Sequence, residues 1–271
     1  MKKIVALALA LVMVFALCAC GSSSSSKTLV VGTSADYPPY EFMYKDDSGE
    51  MVYGGLDLWF AEFLAEEMGK ELQIENMSFD YLLTALSKGD YDVVIAGIEI
   101  NEERLQVADF SDPYYTDIPA MLLVPADKVD AYTTLSDFDG LSVGAQTATT
   151  KEDLVQELMP GANLVSEVNV NDLVNELIYG KIDAILLDGA VAKSFAEKNE
   201  ALGIAAASDE LPQAEPYRVV VAKGDPKGLL DDINAAIAKL TDSQIAEWYE
   251  LANELTDSGE AIEVSVDAPA A

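Results

Sequence analysis

DYDVVIAGIEINEERLQVADFSDPYYT, residues 90–116, decides how this chain folds. Residues 91–95 form a short apolar run suited to a buried strand, Ala96 and Gly97 make a small-residue turn, and Asn101 is placed to cap a short helix. Strand, turn and helix in that order is the repeating unit of an open α/β sheet, which presents groups to a ligand beyond its strand ends. Arg104 falls in the first turn of that helix, where the helix dipole disfavours a cation. Two reasons could hold it there: an ion pair with Glu102, Glu103 or Asp109, or a planar fork offered to a ligand carboxylate.

The same rhythm extends on both sides. Strands are predicted at 29–33, 72–76 and 92–95, with helices at 58–68 (stopped by Gly69) and 81–88. It begins again with strands at 141–145, 164–168 and 184–187 and helices at 149–159, 171–179 and 191–199. Two similar βαβαβ units follow, near 28–118 and 120–212, and a strand at 218–222 and two helices within 229–255 close the chain. The expected architecture is α/β and two-lobed, with lobe one built from 28–118 plus 216–262 and lobe two from 119–215. Crossings near 119–124 and 211–218 would make a hinge, and 263–271 a flexible tail.

The chain begins with a signal-like segment. Lys2 and Lys3 precede an apolar stretch at 4–17, too short for a comfortable membrane span. Residues 17–21, LCACG, resemble the cleavage box of bacterial lipoproteins, apart from Cys18 at minus two, where Ala, Ser or Thr is usual. Residues 1–20 are therefore expected to act as a lipoprotein signal with Cys20 as the lipidated residue, and the serine-rich 21–27 as a flexible tether. An extracytoplasmic location on the outer face of the cell membrane follows.

Composition narrows the chemistry. The chain has no histidine and no cysteine after Cys20, which excludes Cys/His metal sites, thiol nucleophiles and histidine triads. No metal and no cofactor is expected. Loss of Lys2 and Lys3 with the leader takes the formal charge from −32 to about −34, which disfavours nucleic acid and anionic lipid as partners.

Several residues lie at predicted strand ends beside Arg104. Thr149 and Thr150 open a helix in a T-x-x-E capping box ending at Glu152, and are expected to face Arg104 across a cleft, as an anion site or as a plain cap. Asp188 follows the strand AILL, where it can cap the next helix, hold an ammonium, or do both. Tyr37 and Phe79 follow the first two strands, placed to flank a ligand or to pack the loops.

Taken in order, GTSADYPPYEF, GGLDLWFAEFLAEEMG, DYDVVIAG, NEER, VADFSDPYYT, VGAQTATTKE and IDAILLDGAVA resemble the family-three solute-binding proteins, the polar amino-acid receptors of ABC importers. The resemblance spans nearly the whole mature chain. It implies the type II periplasmic-binding-protein fold, with its two lobes joined by a two-strand hinge. It also implies that Arg104 clamps an α-carboxylate with help from Thr149 and Thr150, and that Asp188 holds the α-ammonium. The Ala96–Gly97 turn would line that end, Tyr37 and Phe79 would flank the ligand side chain, and Ser34 and Gln146 would lie near its tip. Two positions depart from the family pattern: Glu99 replaces a usual Ser or Thr, and Ala148 a usual Gly. With Asp188 and Glu99 opposite one Arg104, the site is expected to be net negative and to favour a cationic or strongly polar amino acid, with Glu41 a further carboxylate or a solvent-exposed one. Expected partners are a free amino acid, ABC permease subunits and the membrane through the lipid, with the protein itself a monomer. Two other readings stay open: a ligand-sensing receptor subunit and a cyclohexadienyl-dehydratase-like enzyme.

Overall fold

In the computed structural model, residues 27–46, 48–257 and 261–262 are described; Cys20, the leader, most of the serine tether and the 263–271 tail lie outside them. The first sheet contains β1 (Thr28–Thr33), β4 (Glu71–Asn76), β5 (Val93–Val94), β6 (Ala108–Tyr115) and β12 (Tyr217–Ala222), in the order β4-β1-β5-β12-β6. The second contains β7 (Met121–Pro125), β8 (Ser142–Gln146), β9 (Asn163–Glu167), β10 (Ala184–Leu187) and β11 (Leu202–Ile204), in the order β11-β7-β10-β8-β9. In each sheet the first strand of a βαβαβ unit lies between the second and the third, β4-β1-β5 and β9-β8-β10, all parallel. The two units found in the sequence thus take the same local topology, and the remaining pairings are antiparallel.

Both faces of each sheet are covered. In the first, Val31 and Val93 pack with Leu56, Phe60 and Leu64 of α1 (Leu56–Glu67), while Val94 and Val220 meet Leu82 and Leu86 of α2 (Leu82–Lys88). In the second, Ile185 and Leu187 face Leu173 and Leu177 of α5 (Val170–Ile178), while Leu186 and Val143 face Val155 of α4 (Thr150–Leu158). Side chains of consecutive strand residues point to opposite faces, so AILL, apolar throughout, feeds both layers.

The chain passes from β6 to β7 through 116–120 and returns through 212–216 to β12, which pairs with β6. The sheets therefore communicate through two adjacent connections, consistent with a hinge. A hairpin, β2 (Phe42–Lys45) with β3 (Met51–Gly54), and the C-terminal helix α8 (Asp242–Asp257) dress the first sheet, Trp248 of α8 meeting Phe63 at 6.0 Å between ring centroids.

Candidate ligand-binding cleft between the lobes

The strand ends of both sheets converge on one cavity. Ser34, Tyr37, Phe79, Ala96, Gly97, Glu99, Arg104, Gln146, Thr149, Thr150 and Asp188, all picked out from the sequence, line it together. Asp36, Glu41 and Lys151 join them.

Arg104 sits on α3 (Glu102–Val107) and is 6 % exposed. Asn101 caps that helix, its side chain accepting the Arg104 backbone N–H at 2.8 Å. The guanidinium does not pair with Glu102, Glu103 or Asp109. It donates to the Glu99 carbonyl at 2.7 Å and to the Ala148 carbonyl of the other lobe at 2.9 Å, and its centre lies 5.5 Å from the Phe79 ring. Burial lowers its pKa, opposed by Glu99, Asp153 and Asp188; a guanidinium stays charged all the same. Two of its five N–H donors are occupied by these carbonyls, so part of the fork remains for an anion.

Thr149 and Thr150 open α4 in the same cavity as Arg104, and neither hydrogen-bonds the guanidinium. Thr149 caps α4, accepting from Glu152 N–H at 3.3 Å and donating to the Gln146 carbonyl at 2.7 Å, while Thr150 donates to Glu99. Contact with Arg104 comes instead through the Ala148 carbonyl, which is turned toward it by a left-handed backbone, φ 65°. Only glycine adopts that conformation without cost, and an alanine there loses about 1 kcal/mol. Ala148→Gly is accordingly expected to raise Tm by about 2–4 °C in thermal denaturation; an unchanged or lower Tm would argue against strain at this turn.

Asp188 stands at the start of α6 (Gly189–Lys198), yet its side chain caps nothing there. Asp117, from the crossing segment, accepts from the Ala190 N–H at 3.3 Å in its place. The Asp188 carboxylate is thereby left to the cleft, where Tyr37 donates to Oδ2 at 2.7 Å. The Ala96–Gly97 turn is braced from below: Asp57 Oδ2 accepts from Gly97 N–H at 2.6 Å and from Tyr114 OH at 2.8 Å.

Lys151 was not singled out in the sequence. It is 5 % exposed, with Nζ 2.8 Å from Glu99 Oε2 and ion-paired with Asp188. The expected net negative charge around Arg104 is therefore corrected: Glu99 and Asp188 face two cations. Its signal in the sequence matched that of Arg104, a cation in the first turn of a helix beyond a strand end.

The acids lie elsewhere in the cavity. Asp36 accepts from Ser34 Oγ at 3.1 Å and from Val170 N–H at 3.4 Å, and burial pushes its pKa up to about 6. Glu41 is 1 % exposed, not solvent-exposed, and lies beside the buried carboxyl of Asp57. Burial first, then the neighbouring charges of Asp57 and Asp36, push its pKa well up. Among the described residues no His/Cys/Asp/Glu cluster suited to a metal is found, and no helix is long and apolar enough to cross a membrane.

Two α/β lobes on a double connection, closing a buried arginine and a set of carboxylates around one cavity, define a bilobal binding protein. Residues 29–251 match the model of the bacterial extracellular solute-binding proteins, family 3, and the chain belongs to that family. It is 33 % identical over 237 residues to the arginine-binding extracellular protein ArtP of Bacillus subtilis (strain 168), covering 86 % of this chain and 83 % of ArtP. A crystal structure of an amino acid ABC transporter substrate-binding protein from Streptococcus pneumoniae Canada MDR_19A bound to L-arginine superposes with a TM-score of 0.79 at 36 % identity, covering 88 % of this chain and 96 % of that one. An ancestral arginine-binding protein bound to glutamine gives 0.73 at 35 % identity, with 83 % and 97 % covered. These relatives are binding proteins.

Proposed function

We propose that this protein is the lipid-anchored capture component of an amino-acid ABC importer, and that it takes a free cationic amino acid, arginine foremost. The observation that carries the choice of ligand is the pair of buried acids, Asp36 and Glu41, that line the same cavity as Arg104. Arg104 and the N-terminus of α4 would take the α-carboxylate, Glu99 and Asp188 the α-ammonium, and Asp36 and Glu41 the cationic head, with Tyr37 and Phe79 along the stem, the Ala96–Gly97 turn beside the α-carbon, and Ser34 and Gln146 near the tip. No covalent step is required. Closure of the lobes around ligand gives the permease subunits a closed surface to recognise, and the ligand favours that state to the extent that it binds it more tightly. Cys20 would carry the lipid.

Titration calorimetry with a panel of amino acids tests this reading: arginine or lysine is expected to bind most tightly, and a preference for glutamate or aspartate overturns it. The acids add a dependence on pH. The carboxyl of Asp36 has its pKa raised to about 6 by burial, and that of Glu41 is also raised. A ligand cation beside them favours their ionised forms, so binding releases protons, and affinity is lost as pH falls through about 6. Between pH 7.5 and pH 5 arginine affinity is expected to drop by about tenfold or more. Calorimetry at pH 6 in two buffers of different ionisation enthalpy should report the proton release directly; an affinity that is flat or higher at pH 5 removes these acids from the site.

A further inference from the structure

We propose that Lys151 is a tethered ammonium that occupies the cleft's own ammonium subsite, bridging the two lobes, so that the α-ammonium of an amino acid has to displace it. The inference rests on the amino-acid reading above and concerns which of its contacts discriminate.

The two carboxylates that would receive an α-ammonium lie on different lobes, Glu99 on the first and Asp188 on the second. Lys151 Nζ reaches both, donating to Glu99 Oε2 at 2.8 Å and forming an ion pair with Asp188 Oδ1, and the two carboxylates are 5 % exposed. Tyr37 to Asp188, Thr150 to Glu99 and Arg104 to Ala148 cross the same boundary, so the lobes are already closed on one another. Burial lowers the Lys151 pKa, but Asp188 and Glu99 outweigh it and the net shift is upward, so the bridging group is a cation.

The bridge suits exchange. Asp188 Oδ1 is ion-paired with Lys151 yet receives no hydrogen bond of normal geometry. An ammonium is a point charge on a flexible stem, which leaves by rotation about its side-chain bonds without moving the backbone. Replacing one ammonium by another keeps the local charge constant. That subsite therefore contributes little net affinity in the native protein, and a carboxylate ligand without an α-ammonium loses little there. With Lys151 removed, two buried carboxylates face each other without a cation until the ligand brings one.

The test compares L-arginine with 5-guanidinopentanoate, which keeps the carboxylate and guanidinium and lacks the α-ammonium, on wild type and Lys151→Met by titration calorimetry. Wild type is expected to separate the two ligands by no more than about tenfold. Lys151→Met is expected to bind arginine at least about tenfold more tightly than wild type does, and to reject the desamino analogue by about a hundredfold or more. Lys151→Gln, which retains a polar side chain against both carboxylates, makes the same comparison should the methionine variant not fold. Arginine binding that is unchanged or weaker in the folded variant overturns the proposal, as does a wild type that rejects the desamino analogue by more than about a hundredfold. Absence of binding to every amino acid in both proteins overturns the amino-acid reading itself, whereas normal arginine binding by wild type with no gain on substitution sinks only the role of Lys151.

Discussion

Arg104→Ala is expected to weaken arginine binding by about three orders of magnitude. Truncating one member of a buried, hydrogen-bonded charge pair costs about 2–5 kcal/mol, and about 4 kcal/mol corresponds to roughly a thousandfold. The upper half of that range applies because Arg104 is 6 % exposed and leaves two groups unpartnered besides the ligand, the Glu99 carbonyl in its own lobe and the Ala148 carbonyl in the other. Arg104→Lys keeps the charge, but a single ammonium cannot span two carbonyls and still present two parallel donors to a carboxylate, so it should recover only a part of the loss. Calorimetry measures both, with circular dichroism melting to establish that each variant is folded. A folded Arg104→Ala protein with native affinity would remove Arg104 from the site. The two cations of the cleft thus carry predictions of opposite sign. Loss of Arg104 removes a group that only the chain supplies, and loss of Lys151 removes a group that the ligand also brings.

Local signals in the sequence reached the elements and one side of the site. Alternation of apolar runs with helical periodicity found β10 at its observed ends and α2 to within one residue, because both are apolar enough for burial to fix them. The hairpin β2–β3, with Ser48 and Gly49 at its turn, and the strand β6 carry no apolar run of the kind that marks a buried strand. Arg104 stood out because a cation in a first helical turn runs against the dipole. Lys151 sits in the same situation one position after Thr150, and the capping box around it drew attention to Thr149 and Glu152 instead. The burial of Glu41 was not legible, since only the tertiary fold brings it beside Asp57 and Asp36. The exchange of roles between Asp117 and Asp188 was hidden for the same reason: the two are 71 positions apart, and which of them caps α6 depends on where the crossing segment passes.

That crossing makes Gly189→Ala the other substitution with a large expected effect. Gly189 opens α6 immediately after Asp188, and a Cβ there would overlap the Pro119 carbonyl oxygen and lie 2.6 Å from Ile118 Cγ1. One of those is backbone of the connection between the lobes, held by Asp117, which bonds both Ile118 N–H at 2.7 Å and Ala190 N–H. The Ile118 side chain can rotate away but the Pro119 carbonyl cannot, so the helix start must shift away from the hinge. Overpacking of this kind costs about 3 kcal/mol, and for a chain of this size Tm should fall by about 6–12 °C. The same shift carries Asp188 away from Tyr37, whose hydroxyl it meets at 2.7 Å across the cleft, so arginine affinity should fall by about tenfold or more. Gly180→Ala supplies the contrast. Gly180 has φ 67° and open space where a Cβ would go, so it costs backbone strain of about 1 kcal/mol and leaves affinity untouched. Loss of stability in Gly189→Ala with native affinity would mean that α6 can move without taking Asp188 with it, and that the hinge and the ammonium subsite are independent. Loss of both, with only stability lost in Gly180→Ala, would mean that the segment on which the lobes turn also sets the position of the carboxylate on which they close.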